Sequence, residues 1–169
     1  MKTILSTLVL ALLLISFTTS CKKDDNSISS GSSSSGNYYL TVKKDGDLYT
    51  ADSDPLVSFG ADITTYYTIT GIDAAGNRLV LSLESPTATG TFPTGTDDMA
   101  VRQVSAVYSS ITTSGNEIWS TRFRPGAGTI TISQNTSTNI KGTFSFTGIN
   151  HLDSTSKVFT EGKFNAKKQ

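Results

Sequence analysis

From Ile140 to Gly148 the chain reads Ile-Lys-Gly-Thr-Phe-Ser-Phe-Thr-Gly, with every even position apolar or glycine and every odd position polar. Successive side chains of a strand point to opposite faces, so this period of two predicts a half-buried β-strand with Ile140, Phe144 and Phe146 on its core side. Lys141, Thr143, Ser145 and Thr147 then face solvent. The same alternation recurs on both sides. Gly128-Thr-Ile-Thr-Ile-Ser-Gln134 brings Ile130 and Ile132 to the face of the two phenylalanines. The last strand, Lys157 to Asn165, is expected to add Val158 and Phe164 to that face, with Gly162 leaving room for a phenylalanine ring.

Two hairpins can be put in register by arithmetic. Asp45-Gly46 separates Tyr38–Lys44 from Asp47–Ala51, and Asp-Gly favours a two-residue turn because both positions need positive φ. Setting Lys44 opposite Asp47 collects Tyr38, Leu40, Val42, Tyr49 and Ala51 on one face. A short apolar piece, Leu56–Phe59, follows. Then Tyr66–Ile72 and Arg78–Glu84 flank Asp73-Ala-Ala-Gly-Asn77, where Gly76 suits the left-handed position of the turn; pairing Asp73 with Asn77 sets Ile69 opposite Leu81 and Tyr67 opposite Leu83.

The remaining segments are less regular. Pro86–Asp98 reads as a surface loop with Gly90-Thr-Phe92 as a short edge strand ahead of Pro93. Met99–Ser109 is β-like without clean alternation, and Asn116–Phe123 is a strand to which the pattern assigns no register. The expectation is an all-β domain of roughly ten antiparallel strands, a hairpin meander forming either a lipocalin-like barrel or a two-sheet sandwich.

Composition agrees with that class, since Ser, Thr and Gly are abundant beyond residue 20 and no amphipathic helix is evident there. The single cysteine, Cys21, excludes an intramolecular disulfide, so apolar packing and strand ladders must hold the domain. Lys and Arg balance Asp and Glu at 14 each, which gives no basic footprint for nucleic acid.

The front of the chain has a different character. Lys2, the apolar run Ile4–Phe17 and the small residues Thr18-Thr19-Ser20 form the three-part layout of a secretory signal over residues 1–20. Small residues leading into Cys21 resemble the lipobox of bacterial lipoproteins, with Thr18 where that pattern has an aliphatic residue. The resemblance implies that Cys21 carries the lipid, a palmitate-type acylation, and becomes the mature N-terminus. Lys22, Lys23, Asp24 and Asp25 resemble the export signal of Bacteroidota surface lipoproteins; a solvated start to a linker is the alternative reading. Ser27–Gly36 is nearly all Ser and Gly, so residues 21–36 form an acylated cysteine and tether whose reach as a coil is about 20 Å. The all-β domain is then 37–169.

The body of the chain resembles small lipid-anchored envelope lipoproteins of Bacteroidota that carry domains of unknown function. The residues that carry the likeness are Tyr39-Leu-Thr-Val-Lys-Lys-Asp-Gly-Asp-Leu-Tyr-Thr-Ala51, Gly128–Ile132, Ile140–Phe146 and Glu161-Gly-Lys-Phe164. The resemblance implies anchorage in the outer membrane with the domain exposed at the cell surface, and it supplies no catalytic residues.

Candidate chemistry is sparse. A Ser-His-Asp arrangement needs a histidine, and His151, the only one, sits beside Asp153 and Ser154 in a stretch better read as an exposed loop. One histidine and no spare cysteine do not make a zinc site, and Asp97-Asp98 lacks the spaced oxygen ligands of a calcium loop. No catalytic residue, metal or cofactor is expected. The ligand-binding candidates are aromatic and cationic: Trp119 with Arg122 and Arg124, and Tyr39 and Tyr66, which the registers place outward, where rings could stack on sugars. Against this stands a Trp119 buried in the core, with outward tyrosines that are ordinary strand formers. The function expected is a lipid-anchored, non-enzymatic binding or accessory module for a glycan or a small hydrophobic ligand. The alternatives are an envelope-anchored glycan hydrolase and a structural or assembly component of the envelope.

Overall fold

A computed structural model describes residues 38–59, 66–84, 88–95, 104–113, 115–122 and 127–169. The signal and lipidation segment, with Cys21, Lys22, Lys23, Asp24 and Asp25, lies outside these residues, as do Asp97, Asp98, Met99 and Arg124.

The domain is all-β. The strands are β1 (Tyr39–Lys44), β2 (Asp47–Thr50), β3 (Leu56–Phe59), β4 (Tyr66–Ile72), β5 (Arg78–Glu84), β6 (Gly90–Thr94), β7 (Ser105–Thr112), β8 (Gly115–Ser120), β9 (Gly128–Asn135), β10 (Asn139–Asn150) and β11 (Ser156–Lys168). Both expected hairpins have the expected register, with Val42 opposite Tyr49, Ile69 opposite Leu81 and Tyr67 opposite Leu83. The first turn takes φ of 51° at Asp45 and 95° at Gly46, as a turn with two left-handed positions requires. In the second, the Asp73 carboxylate accepts the backbone N–H groups of Ala75 and Asn77, and Gly76 sits at φ 83°.

The long hairpin β10–β11 organises the sheet. The outer edge of β10 carries β9 along residues 140–146 and then β8 at Ile149 and Asn150. The outer edge of β11 carries β1 along residues 159–165 and then, in parallel, β3 at Lys167 and Lys168. Hydrogen bonding therefore runs from β3 through β4, β5 and β7 to β8 and back to β10, while β2 extends β1 and β6 extends β9. Two layers result, β2-β1-β11-β10-β9-β6 and β3-β4-β5-β7-β8, joined where β10 and β11 reach from one into the other.

Their inner faces meet through aromatic rings. Tyr49 stands edge-on to Tyr108 at 6.1 Å between centroids, and Phe159 lies 5.3 Å from the same ring. The Tyr49 hydroxyl, buried among apolar side chains, donates to the carbonyl of Gly71 across the layers at 2.8 Å. A Cβ on Gly71 would lie only 3.0 Å from that of Ala51, so the layers approach closely here.

The central strand behaves as its alternation predicts: Ile140, Phe144 and Phe146 are buried, with Thr143 and Ser145 exposed between them. Ile130, Ile132 and Phe164 join them. Val158 does not. It is 45% exposed, and Phe159 fills the inward place instead, its ring stacked on Phe146 at 4.1 Å. The cause is a β-bulge: Phe146 pairs with Phe159 but Phe144 pairs with Gly162, so two residues of β11 oppose Ser145 alone. Glu161 takes φ 55° to make the bulge, and its carboxylate accepts from Lys43 Nζ at 2.7 Å. Below the bulge the parity of β11 is reversed.

Gly90-Thr-Phe92 is an edge strand as expected, but β6 continues through Pro93 to Thr94. An edge tolerates this, because the N–H that proline lacks is needed only where a second neighbour pairs.

Candidate binding site

Trp119 defines the geometry of this end of the domain. On β8 it points inward beside Tyr108, its partner on β7, and is 4% exposed. Gly148 makes the room: a Cβ there would fall 2.9 Å from that of Trp119. The indole N–H donates to Thr155 Oγ1 at 3.2 Å, and the Lys157 ammonium sits 4.3 Å from the ring centroid. Trp119 is a core residue in this structure. With its faces and its N–H engaged within the fold, it offers no stacking surface to a sugar.

The other candidates do not assemble around it. Tyr39 is exposed on β1, in the six-stranded layer. Tyr66 is half-buried at the start of β4, opposite Glu84, in the other layer. Arg122 is exposed just beyond β8, where its backbone N–H donates to Ser120 Oγ at 3.1 Å. In sheet order β11 and β3 separate Tyr39 from Tyr66, and β5 and β7 separate Tyr66 from the strand that leads to Arg122. No aromatic strip runs through these positions.

His151 lies in the β10–β11 turn and is exposed. Its neighbours serve the turn. The Asp153 carboxylate accepts the backbone N–H of Thr155 at 2.9 Å and its hydroxyl at 2.7 Å, and these bonds hold the acid below the usual carboxylate range. Ser154, at φ 61°, donates its N–H to the carbonyl of Asn150. Among the described residues no three His, Cys, Asp or Glu side chains gather as a metal site.

What the structure does form here is an apolar cavity of about 340 Å³. It is lined by Asn116, Ile118 and Ser120 of β8, Ile149 and Asn150 of β10, and His151 and Leu152 of the turn. The volume is at the lower end of small-ligand sites. Ile118, 50% exposed, and Leu152, 87% exposed, contribute apolar surface to this lining. Sequence reasoning did not find this site. The one signal was Ile118 next to inward Trp119, since adjacent strand residues cannot both face the core; without a register for β8 that signal had no reference.

No curated protein and no solved structure matches the chain. The model of the family described as a domain of unknown function, DUF6252, matches residues 36–166, which span β1 to nearly the end of β11, and the chain therefore belongs to that family.

Proposed function

We propose that the protein is a lipid-anchored, non-enzymatic binding module of the outer membrane, held through Cys21 and carrying its ligand site at the β8–β10 corner. The observation that supports binding is the cavity, whose lining combines the apolar side chains of Ile118, Ile149 and Leu152 with the polar ones of Asn116, Ser120 and His151. Such a lining suits a small apolar group on a ligand that also makes a few polar contacts. Of the two ligand classes expected from the sequence, the hydrophobic one fits better, because a glycan site wants exposed rings in a row and Tyr39, Tyr66 and Trp119 lie on separate faces.

Two measurements test this reading. Cys21→Ser should abolish labelling by an alkyne fatty acid and release the protein from the membrane fraction; retained label and attachment would refute the anchor. The core lies between Leu40 and Ala166, so the chain from Asn37 serves for binding. Titration with 1-octanol should shift the amide resonances of Ile118, Ile149 and Leu152, and Ile118→Asp should remove the response. Shifts confined to other residues would refute the cavity as the site.

A further inference from the structure

The cavity lies where a strand ladder stops. The pairing of β8 with β10 consists of Ser120 opposite Ile149 and Trp119 opposite Asn150, after which the chain leaves β10 for its turn. Asn150 donates its N–H to the carbonyl of Thr155 and accepts from Ser154 N–H, so its backbone is engaged within the β10–β11 hairpin. On the far side of β8, Thr121 donates its N–H to the carbonyl of Ala106. Main-chain groups alternate sides along a strand, so Trp119 and Glu117 bond toward β7 while Ser120, Ile118 and Asn116 point the other way. Ser120 meets Ile149. Ile118 and Asn116 present their N–H and C=O groups past the end of β10, where no strand among the described residues pairs with β8.

Building on the proposed cavity, we infer that its ligand is an extended polypeptide segment. The segment adds as a strand to the Asn116–Ile118 edge of β8 and places one apolar side chain between Ile118, Ile149 and Leu152. Two features favour a peptide over a lipid or a free apolar molecule. The edge offers donor and acceptor pairs two residues apart, about 7 Å along the strand, a spacing that another extended main chain reproduces and an acyl chain cannot. The edge also lacks the protection given to the sheet's other ends. At β6, Pro93 removes a donor; at β2, the Tyr49 hydroxyl and the bond from Asp52 N–H to the Ile72 carbonyl tie the end to β4. On β8 the one charged residue, Glu117, alternates to the opposite face from Ile118. Main-chain bonds at Ile118 and Asn116 would supply affinity, and the cavity would select the side chain.

The test uses the chain from Asn37 labelled with nitrogen-15, four acetylated heptapeptides Thr-Val-Thr-X-Thr-Val-Thr with X as Leu, Phe, Met or Val, and 1-octanol as an apolar probe without a main chain. At least one peptide should slow solvent exchange of the Ile118 and Asn116 amides by about tenfold or more. N-methylation of that peptide at alternate amides should abolish the effect. Asn116→Pro, which deletes a donor pointing away from β7, should remove the peptide's protection of the Ile118 amide. Octanol binding with no amide protection by any peptide would overturn strand addition and leave the cavity reading standing; no binding of either probe would overturn both. A free protein that sediments as a dimer with Ile118 already protected would assign the edge to a second copy and overturn the inference as well.

Discussion

Gly162 of β11 lies against the ring of Phe144 on β10 so closely that a Cβ at position 162 would fall 2.7 Å from two ring carbons and 2.6 Å from the Phe144 carbonyl oxygen. The missing side chain is what lets the ring lie flat over the neighbouring strand. Gly162→Ala should therefore destabilise by overpacking, by about 1–3 kcal/mol. Phe144→Ala should cost about 3–5 kcal/mol. Combined, the two should cost less than their sum, because the truncated ring no longer meets the new methyl group. Thr143→Ala, on the exposed face, should stay within about 0.5 kcal/mol. Urea midpoints of the four variants check this, and strict additivity would mean that ring and glycine do not share the space.

The bulge at Glu161 reverses the faces of β11, and adjacent residues report it. Phe159→Ala should lower stability by about 3–5 kcal/mol and Val158→Ala by less than about 1 kcal/mol. Glu161→Gly removes an exposed ion pair worth little and relieves a left-handed non-glycine position, so its net effect should fall within about 1 kcal/mol of zero. A Val158 variant that melts as early as the Phe159 variant would contradict the bulge.

Burial, reinforced by the Asp73 carboxylate, pushes the Tyr49 hydroxyl above the ordinary tyrosine range. The unfolded chain then releases this proton near pH 10 while the folded protein keeps it, so stability is full below pH 10 and declines as pH rises through the folded value. The slope from one such proton is about 1.4 kcal/mol per pH unit. Tyr49→Phe should cost about 1 kcal/mol at neutral pH through the lost bond to Gly71 and should flatten the alkaline decline. Urea midpoints between pH 8 and 11.5 measure both effects.

Trp119 is the single tryptophan, which makes it a clean reporter. Its emission should be that of a shielded indole, weakly quenched by acrylamide, and should move to longer wavelength on unfolding. Gly148→Ala should move it part of the way in the folded protein, because the added methyl group meets the Trp119 backbone and Cβ. An unchanged spectrum in that variant would place the indole elsewhere.

Local rules settled much of this fold. Alternation named the inward residues of β10, and the Asp45-Gly46 turn and the Asp73–Asn77 loop set their hairpins in register, because side-chain period and turn dihedrals are properties of a few consecutive residues. The inward turn of Phe159 and the cavity at Ile118 came only with tertiary structure, which also decided for Trp119 between the two places the sequence left open, core and surface. Phe159 depends on an extra residue accommodated between β1 and β10, two strands distant in sequence from each other. Trp119 depends on Gly148 passing beneath it, and the open edge of β8 depends on where β10 ends. Each is a matter of which strands become neighbours and for how long they stay paired, and that is decided by the closing of the two layers over a common core, a balance of contacts far apart in the chain that no window of alternating residues contains.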